Sequence, residues 1–277
     1  MKSLLVIGAG YIGAELIQQA KSADWKTYAG TRSGEGDTLP IDVSDCASLE
    51  SIKKQIGTPD IIVHCASSGR GGEVAYRAVF ETGVENIIST FPDSSLIFVS
   101  SSSVYAQING ETVTEDSPAD PTRETGKILK RAEALVLTHN GIIARLSGIY
   151  GPGRSVLIKR LLLGEAQIEE DGRRFINQIH QHDGASALLH LAENFSALSG
   201  EVYNVSDSYP RSQKATYEGL CKTLDLPLPP TGKRDLNRKR GWTHKAVSNV
   251  KLLSTGWEPK YPDFIKVSPK IAQTLEL

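Results

Sequence analysis

From residue 1 to about 150 the chain alternates short runs of consecutive apolar residues with longer stretches in which apolar positions recur at helical spacing. Leu4-Leu5-Val6-Ile7, Ile61-Ile62-Val63 and Leu96-Ile97-Phe98-Val99 are apolar on successive residues, as strands covered on both faces are. Such runs predict strands at about 3–8, 25–30, 38–42, 60–65, 95–100 and 141–146. Helices are predicted near 11–21, 46–56, 72–90 and 123–138, the last opening after a polar loop that ends in Pro118 to Pro121. Strand and helix in regular alternation predict an α/β fold, with helices on both faces of a doubly wound parallel sheet.

After Gly151-Pro152-Gly153 the elements shorten and proline becomes frequent, as in Leu226-Pro227-Leu228-Pro229-Pro230. This part reads as a smaller, mixed lobe. Segment 175–195, with Ile176, Ile179, Ala187, Leu188 and Leu191, returns to helical and strand patterning. The expected division is therefore 1–150 with about 175–195 as one domain, and about 151–174 with 196–277 as the smaller lobe. A chain of 277 residues buries most of its apolar surface without disulfide or metal staples.

Charge narrows the partners. With 31 Lys plus Arg against 32 Asp plus Glu, the formal net charge is −1, which gives no electrostatic case for nucleic acid or an anionic membrane. A small-molecule or protein partner is expected instead. Cys46, Cys65 and Cys221 are odd in number and far apart, a pattern that suits a reducing, cytoplasmic setting, and all three read as small buried residues. The first apolar run is too short for a signal segment or a membrane span.

Gly8-Ala9-Gly10-Tyr11-Ile12-Gly13 follows the first strand and opens a helical pattern, the context in which a GxGxxG match carries weight. The first glycine allows a tight turn, the second lets a pyrophosphate approach the backbone, and the third lets helix pack on strand. Gly8, Gly10, Tyr11, Ile12 and Gly13 are thus candidate dinucleotide contacts in a Rossmann-like sheet. A ribose-binding acid is expected at the tip of the second strand, yet that strand ends in Thr31-Arg32-Ser33. A guanidinium with two hydroxyls suits a 2′-phosphate, so NADP is expected over NAD, which stays possible. Asp42 and Val43, after the third strand, are placed to meet the adenine edge, or Asp42 caps the next turn.

The glycine loop, Asp42, Val63-His64-Cys65-Ala66, Phe98-Val99-Ser100-Ser101-Ser102-Ser103-Val104-Tyr105 and Arg145-Leu146-Ser147-Gly148-Ile149-Tyr150-Gly151-Pro152-Gly153 stand in a telling order. In that order the sequence resembles the extended short-chain dehydrogenase/reductase family, above all its NAD-dependent epimerase/dehydratase group. Ile179-His180-Gln181-His182-Asp183 and Gly200-Glu201-Val202-Tyr203-Asn204-Val205 resemble later pieces of the same group. The resemblance implies cofactor contacts from Cys65, Ala66, Ser67, Ser147 and Ile149. It also implies that Ser101 bonds the substrate hydroxyl or carbonyl, although a strand-end serine can equally serve the backbone. Lys127 matches the family lysine that holds the nicotinamide ribose. A homodimer built on helices 72–90 and 123–138 would follow the family habit.

One departure is chemical. The family tyrosine, four residues before the lysine, is replaced by Arg123. Arginine stays protonated, so it can stabilise an oxyanion but does not relay a proton. Tyr105, four residues after Ser101, is the nearest phenol in sequence; it is either a substitute acid/base or a packed ring. His180-x-His182-Asp183 is the one histidine cluster, but with no third ligand evident no metal is expected. No Gly-x-Ser-x-Gly elbow supports a hydrolase. The basic run Lys233-Arg234-Asp235-Leu236-Asn237-Arg238-Lys239-Arg240 is a solvated face or the seat of an anionic substrate such as a nucleotide-linked sugar. The leading expectation is an NADP-preferring oxidoreductase or epimerase-like protein acting on a small carbonyl, hydroxyl or sugar-nucleotide substrate. Its rivals are an NAD-dependent epimerase or dehydratase with ordinary ribose recognition, and a non-catalytic dinucleotide sensor or protein-binding module.

Overall fold

The computed structural model describes residues 1–69, 71–234 and 242–277, and its chain divides into two compact units. The first comprises Met1–Val104, Ala119–Arg145 and Ala185–Tyr203; the second comprises Tyr105–Pro118, Leu146–Gly184 and Asn204–Leu277.

The main sheet has seven strands: β1 (Ser3–Ile7), β2 (Lys26–Thr31), β3 (Leu39–Pro40), β4 (Ile61–His64), β5 (Ser95–Ser101), β6 (Ile142–Leu146) and β7 (Val202–Val205). Their spatial order is β7-β6-β5-β4-β1-β2-β3. Neighbours run parallel, with Ile7 opposite Gly30 and His64, and His64 opposite Phe98. At the far edge Ile143 N–H bonds Glu201 O and Ser147 N–H bonds Val205 O, a register that rises together and so is also parallel. Residues on both faces of β1 and β4 are buried, which is why these strands read as continuous apolar runs.

Helices flank the sheet where the periodicity placed them. Tyr11–Ser22 buries Ile12, Leu16, Ile17 and Ala20, and Glu124–Thr138 buries Ile128, Leu129, Ala132 and Val136. The Asp45 side chain accepts from Ala47 N–H and caps Cys46–Ile56, which ends at Gly57 with φ of +78°. That start leaves Cys46 exposed, a correction to its reading as a buried residue; Cys221 is buried. The single helix expected over 72–90 is instead Glu73–Tyr76, a π-helical Arg77–Thr82 and Gly83–Thr90. The π segment coincides with a demand from the sheet, because Val79 O accepts a 3.0 Å hydrogen bond from Nε2 of the buried His64.

The second unit is built from short pairs. Gly148–Tyr150 runs parallel to Gln178–His180, Glu111–Val113 to Lys245–Val247, and Ile168–Glu169 to Thr231–Gly232. Phe175–Ile176 pairs antiparallel with Arg211–Ser212. Helices Val156–Leu162, Gln213–Leu224 and Phe264–Ala272 enclose a core of Tyr150, Ile158, Leu161, Tyr217, Leu220, Phe264 and Ile271. Where the periodicity ran the first domain unbroken to 150, Tyr105–Pro118 and the stretch from Leu146 go with the second unit. The reason is partner choice: Glu111–Val113 finds its ladder on Lys245–Val247, far along the chain. The return to the first unit begins at Ala185 rather than near 175, within helix Gln181–Glu193.

Candidate functional site

Because the strands are parallel, the carboxyl ends of β1, β2, β4 and β5 open on one edge of the sheet, and the candidate residues of the first unit cluster there. Gly8 leaves β1 with φ of +99°, and a Cβ on it would stand 2.4 Å from Ala66 Cα. A Cβ on Gly13 would stand 2.3 Å from Gly8 O and 3.1 Å from Cys65 Sγ. Both positions are filled by the protein's own backbone. Gly10 is different: nothing lies within 4 Å of the place its Cβ would take. Gly10 also begins helix Tyr11–Ser22, and no side chain caps that helix. A tight turn, a close strand contact and an open middle position are the three features a pyrophosphate site requires, so these residues fit a dinucleotide.

The neighbouring strand ends complete that edge. Thr31 Oγ1 lies 2.7 Å from Thr38 Oγ1 and accepts Gly34 N–H, while Ser33 is exposed. Arg32 extends into solvent, its side chain 87% exposed, with Nε 3.3 Å from Asp42 Oδ2. Asp42 also accepts from the Ser44 hydroxyl (2.6 Å) and N–H (3.0 Å), and the Ser44 bonds, with the Arg32 charge, hold its carboxyl below the usual range. Of the two sequence readings of Asp42, the turn cap is the one seen here, and the residue also faces the Arg32 guanidinium. Val43 is buried, and its carbonyl accepts from Asn86. Past β4, the Cys65 thiol donates to Gly8 O at 3.2 Å and is pushed up to about 12 by burial, so it is an inert prop under the loop. Ser67 is exposed and its hydroxyl accepts Gly69 N–H.

At the end of β5, Ser101 is half-buried and its Oγ accepts Ser103 N–H at 3.2 Å. Lys127 is exposed on the first turns of helix Glu124–Thr138, which packs against β5 and the turn Ser102–Val104. Arg123 is exposed and forms the N-cap of that helix, its carbonyl accepting Gly126 and Lys127 N–H. Pro121 presses against the helix start, since a Cβ on Gly126 would come 2.5 Å from the proline Cβ.

Tyr105 needs correction as a candidate acid/base. It belongs to the second unit, is fully buried, and its hydroxyl lies 2.9 Å from both Thr114 O and Asn204 Oδ1. Lys245, itself buried, donates to the Tyr105 carbonyl at 2.8 Å. A phenol enclosed in this way braces the fold. Ser147 and Ile149 also lie in the second unit; Ser147 is buried with an unpaired hydroxyl, and Ile149 pairs with Ile179.

The histidine cluster is likewise structural. The strand ends at His180, so His182 lies on the following helix and does not share a strand face with it. His180 stacks on Tyr261 with ring centroids 4.1 Å apart, and Asp183 accepts the N–H groups of Lys260 and Tyr261 at 2.9 and 2.8 Å. Among the described residues no group of three or more His, Cys, Asp or Glu side chains is placed to hold a metal. Also among them, no helix is long and apolar enough to cross a membrane. Of the basic run, Arg234 pairs with Glu170 at 2.7 Å and lies 3.7 Å over the Trp242 ring, and Lys233 is exposed. Residues 235–241, with Arg238, Lys239 and Arg240, lie outside the described residues.

One arrangement escaped the sequence reading. Glu133, buried in helix Glu124–Thr138, receives Arg145 from β6, Lys130 at 2.8 Å and the Ser100 hydroxyl at 2.6 Å. Its signal was present in the chain: an arginine inside the otherwise apolar run Ile142–Leu146 requires a buried counter-charge.

Residues 4–206 match the model of the NAD dependent epimerase/dehydratase family. Protein YeeZ of Escherichia coli strain K12 is 26% identical over 281 residues, covering 95% of this chain and 97% of its own. A Methylobacillus flagellatus structure assigned to the NAD-dependent epimerase/dehydratases superposes with a TM-score of 0.82 at 27% identity, over 98% of both chains. UDP-glucose 4-epimerase of Thermus thermophilus, solved with NAD, has a TM-score of 0.79 at 17% identity over 99% of both chains, a likeness of fold.

Proposed function

The chain belongs to the NAD dependent epimerase/dehydratase family, and on that premise we propose that it binds a nicotinamide dinucleotide on the Gly8–Gly13 loop and acts as an oxidoreductase or epimerase on a small hydroxyl, carbonyl or sugar-nucleotide substrate. The observation that carries this reading is the contrast among the three glycines: two are packed against backbone and the middle one is open. When bound, the dinucleotide would supply hydride acceptance and donation. The chain's own residues would do the rest. Backbone N–H groups at the start of Tyr11–Ser22 would face the pyrophosphate, Ser101 would orient the substrate oxygen, and Lys127 would hold the ribose. Arg123 would stabilise negative charge on that oxygen without exchanging its own proton. Arg32 would favour the 2′-phosphate of NADP, in competition with Asp42. An anionic substrate would find Lys233 exposed in the second unit.

A second reading, a dinucleotide sensor without turnover, is favoured by one observation: the buried Tyr105 leaves Arg123 without a substitute phenol from that position. Calorimetric titration of the full chain with NADPH and NADH tests the shared part, and binding of neither would overturn both readings. A reduction screen over carbonyl compounds and nucleotide sugars separates them. Turnover by the wild type supports the enzyme. Tight binding without turnover, with activity gained in Arg123→Tyr, supports the sensor.

A further inference from the structure

Glu133 lies fully buried on helix Glu124–Thr138, and each of its carboxylate oxygens accepts from two donors. Oε1 takes the Ser100 hydroxyl at 2.6 Å and Arg145 Nε at 3.0 Å; Oε2 takes Arg145 Nη2 at 2.6 Å and Lys130 Nζ at 2.8 Å. The donors come from separate elements: Ser100 from β5, Arg145 from β6 and Lys130 from the helix itself. All of these residues belong to the first unit.

Stability is a poor reason for such an arrangement. Removing a carboxylate and a guanidinium from water costs much of what their attraction returns, and apolar side chains of similar size often hold a helix to a sheet equally well. Ile128, Leu129, Ala132 and Val136 already bury the helix face. Apolar contact is non-directional, however, and does not fix how far a helix slides along a strand. Hydrogen bonds do, because they hold donor and acceptor within a few tenths of an ångström of one separation. What Glu133 adds is therefore register.

That register runs beside candidate site residues. Ser100 immediately precedes Ser101 at the end of β5, and Lys130 stands three residues from both Lys127 and Glu133, a spacing at which helical side chains are neighbours. Ser100 is buried and Ser101 half-buried, so the strand is pinned one residue short of the candidate site. We propose that Glu133 is a positioning residue, which sets Lys127 of its own helix against the end of β5 through the Ser100 hydroxyl. This rests on the reading of Lys127 as the residue that holds the dinucleotide ribose.

Calorimetric titration of the full chain with NADPH and NADH, read on whichever binds more tightly, compares wild type, Ser100→Ala, Ser100→Thr, Lys127→Met and Ser100→Ala combined with Lys127→Met. Lys127→Met should bind about tenfold more weakly and Ser100→Ala about fivefold, the loss expected of one hydrogen bond. Ser100→Thr keeps the hydroxyl and should stay within about twofold of wild type. The combined variant should lose no more than Lys127→Met alone, because Ser100 acts through that lysine, whereas a merely structural role makes the two losses multiply. Multiplied losses, unaltered affinity in Ser100→Ala or in Lys127→Met, or a Ser100→Thr variant as weak as Ser100→Ala would overturn the inference and leave dinucleotide binding by the wild type standing. A wild type that binds neither nucleotide overturns the dinucleotide reading, and the inference with it. Should Ser100→Ala fail to fold, Glu133→Met combined with Arg145→Met takes its place in the cycle.

Discussion

Arg145 grips Glu133 with both arms of its guanidinium, Nε 3.0 Å from Oε1 and Nη2 2.6 Å from Oε2, and both side chains are almost wholly excluded from solvent. Burial would raise the Glu133 carboxyl, yet the Arg145 bonds and charge, with Lys130, hold it below the usual range. The pair ties the helix that presents Lys127 to strand β6. Glu133→Gln leaves a buried guanidinium without its counter-charge and should cost about 3–5 kcal/mol in urea unfolding at pH 7. Replacing both residues by methionine should cost less than that single change, because no charge is then stranded.

Gly8 and Gly10 separate folding from binding. Gly8→Ala places a Cβ against the Ala66 backbone at a positive φ, and should destabilise by about 3 kcal/mol. Gly10→Ala meets nothing, so stability should change by less than about 1 kcal/mol. Its NADPH affinity, read by calorimetry, should nevertheless fall about tenfold or more, because the methyl occupies the space of the pyrophosphate. Unchanged affinity in Gly10→Ala would remove the loop from the cofactor site.

Two buried groups make opposite demands on pH. Desolvation lowers His64 to about 4, against the Val79 bond, so its contribution is full above about pH 6.5 and is lost as pH falls through 4. Desolvation raises Asp207 to about 7, so its contribution is full below 3.8 and is lost as pH rises through 7. Each is on the order of 3 kcal/mol and the two oppose one another between pH 4 and 7. Unfolding of His64→Gln should therefore show stability falling across that window, and Asp207→Asn should show it rising. Identical profiles for the two variants would contradict the assignment.

The proposed NADP preference rests on Arg32 and its neighbour Asp42. Arg32→Ala should weaken NADPH binding about tenfold and leave NADH unchanged, the difference being the charge-assisted bonds to the 2′-phosphate. Asp42→Asn frees the guanidinium of its 3.3 Å partner and should strengthen NADPH binding, more so at low salt. Fluorescence titration of both nucleotides reads these shifts directly.

The elements of the first unit were legible because their information is local. Runs such as Ile61-Ile62-Val63 state their own burial, and the glycine loop states its own geometry. The π-helical turn was not legible. It arises where a helix meets the buried His64, and no local residue announces it. Tyr105 was ambiguous for the same reason: its spacing from Ser101 fits a catalytic role, and only the arrival of Asn204, 99 residues on, decides otherwise.

By itself the sequence determined the β-α alternation, the strand-loop-helix seat for a pyrophosphate, the absence of an acid after β2 and the arginine in place of a tyrosine. Each is a matter of residue type or short-range period. The tertiary structure alone decided that Gly10 is open while Gly8 and Gly13 are filled, that Arg32 faces Asp42, and that Tyr105 is sealed. It alone left Asp207 Oδ1 and Gln178 Nε2 buried without a hydrogen-bond partner. These depend on which distant segments share a wall, and burial then sets the chemistry, because a polar atom removed from water must be paired from elsewhere in the chain or from outside it.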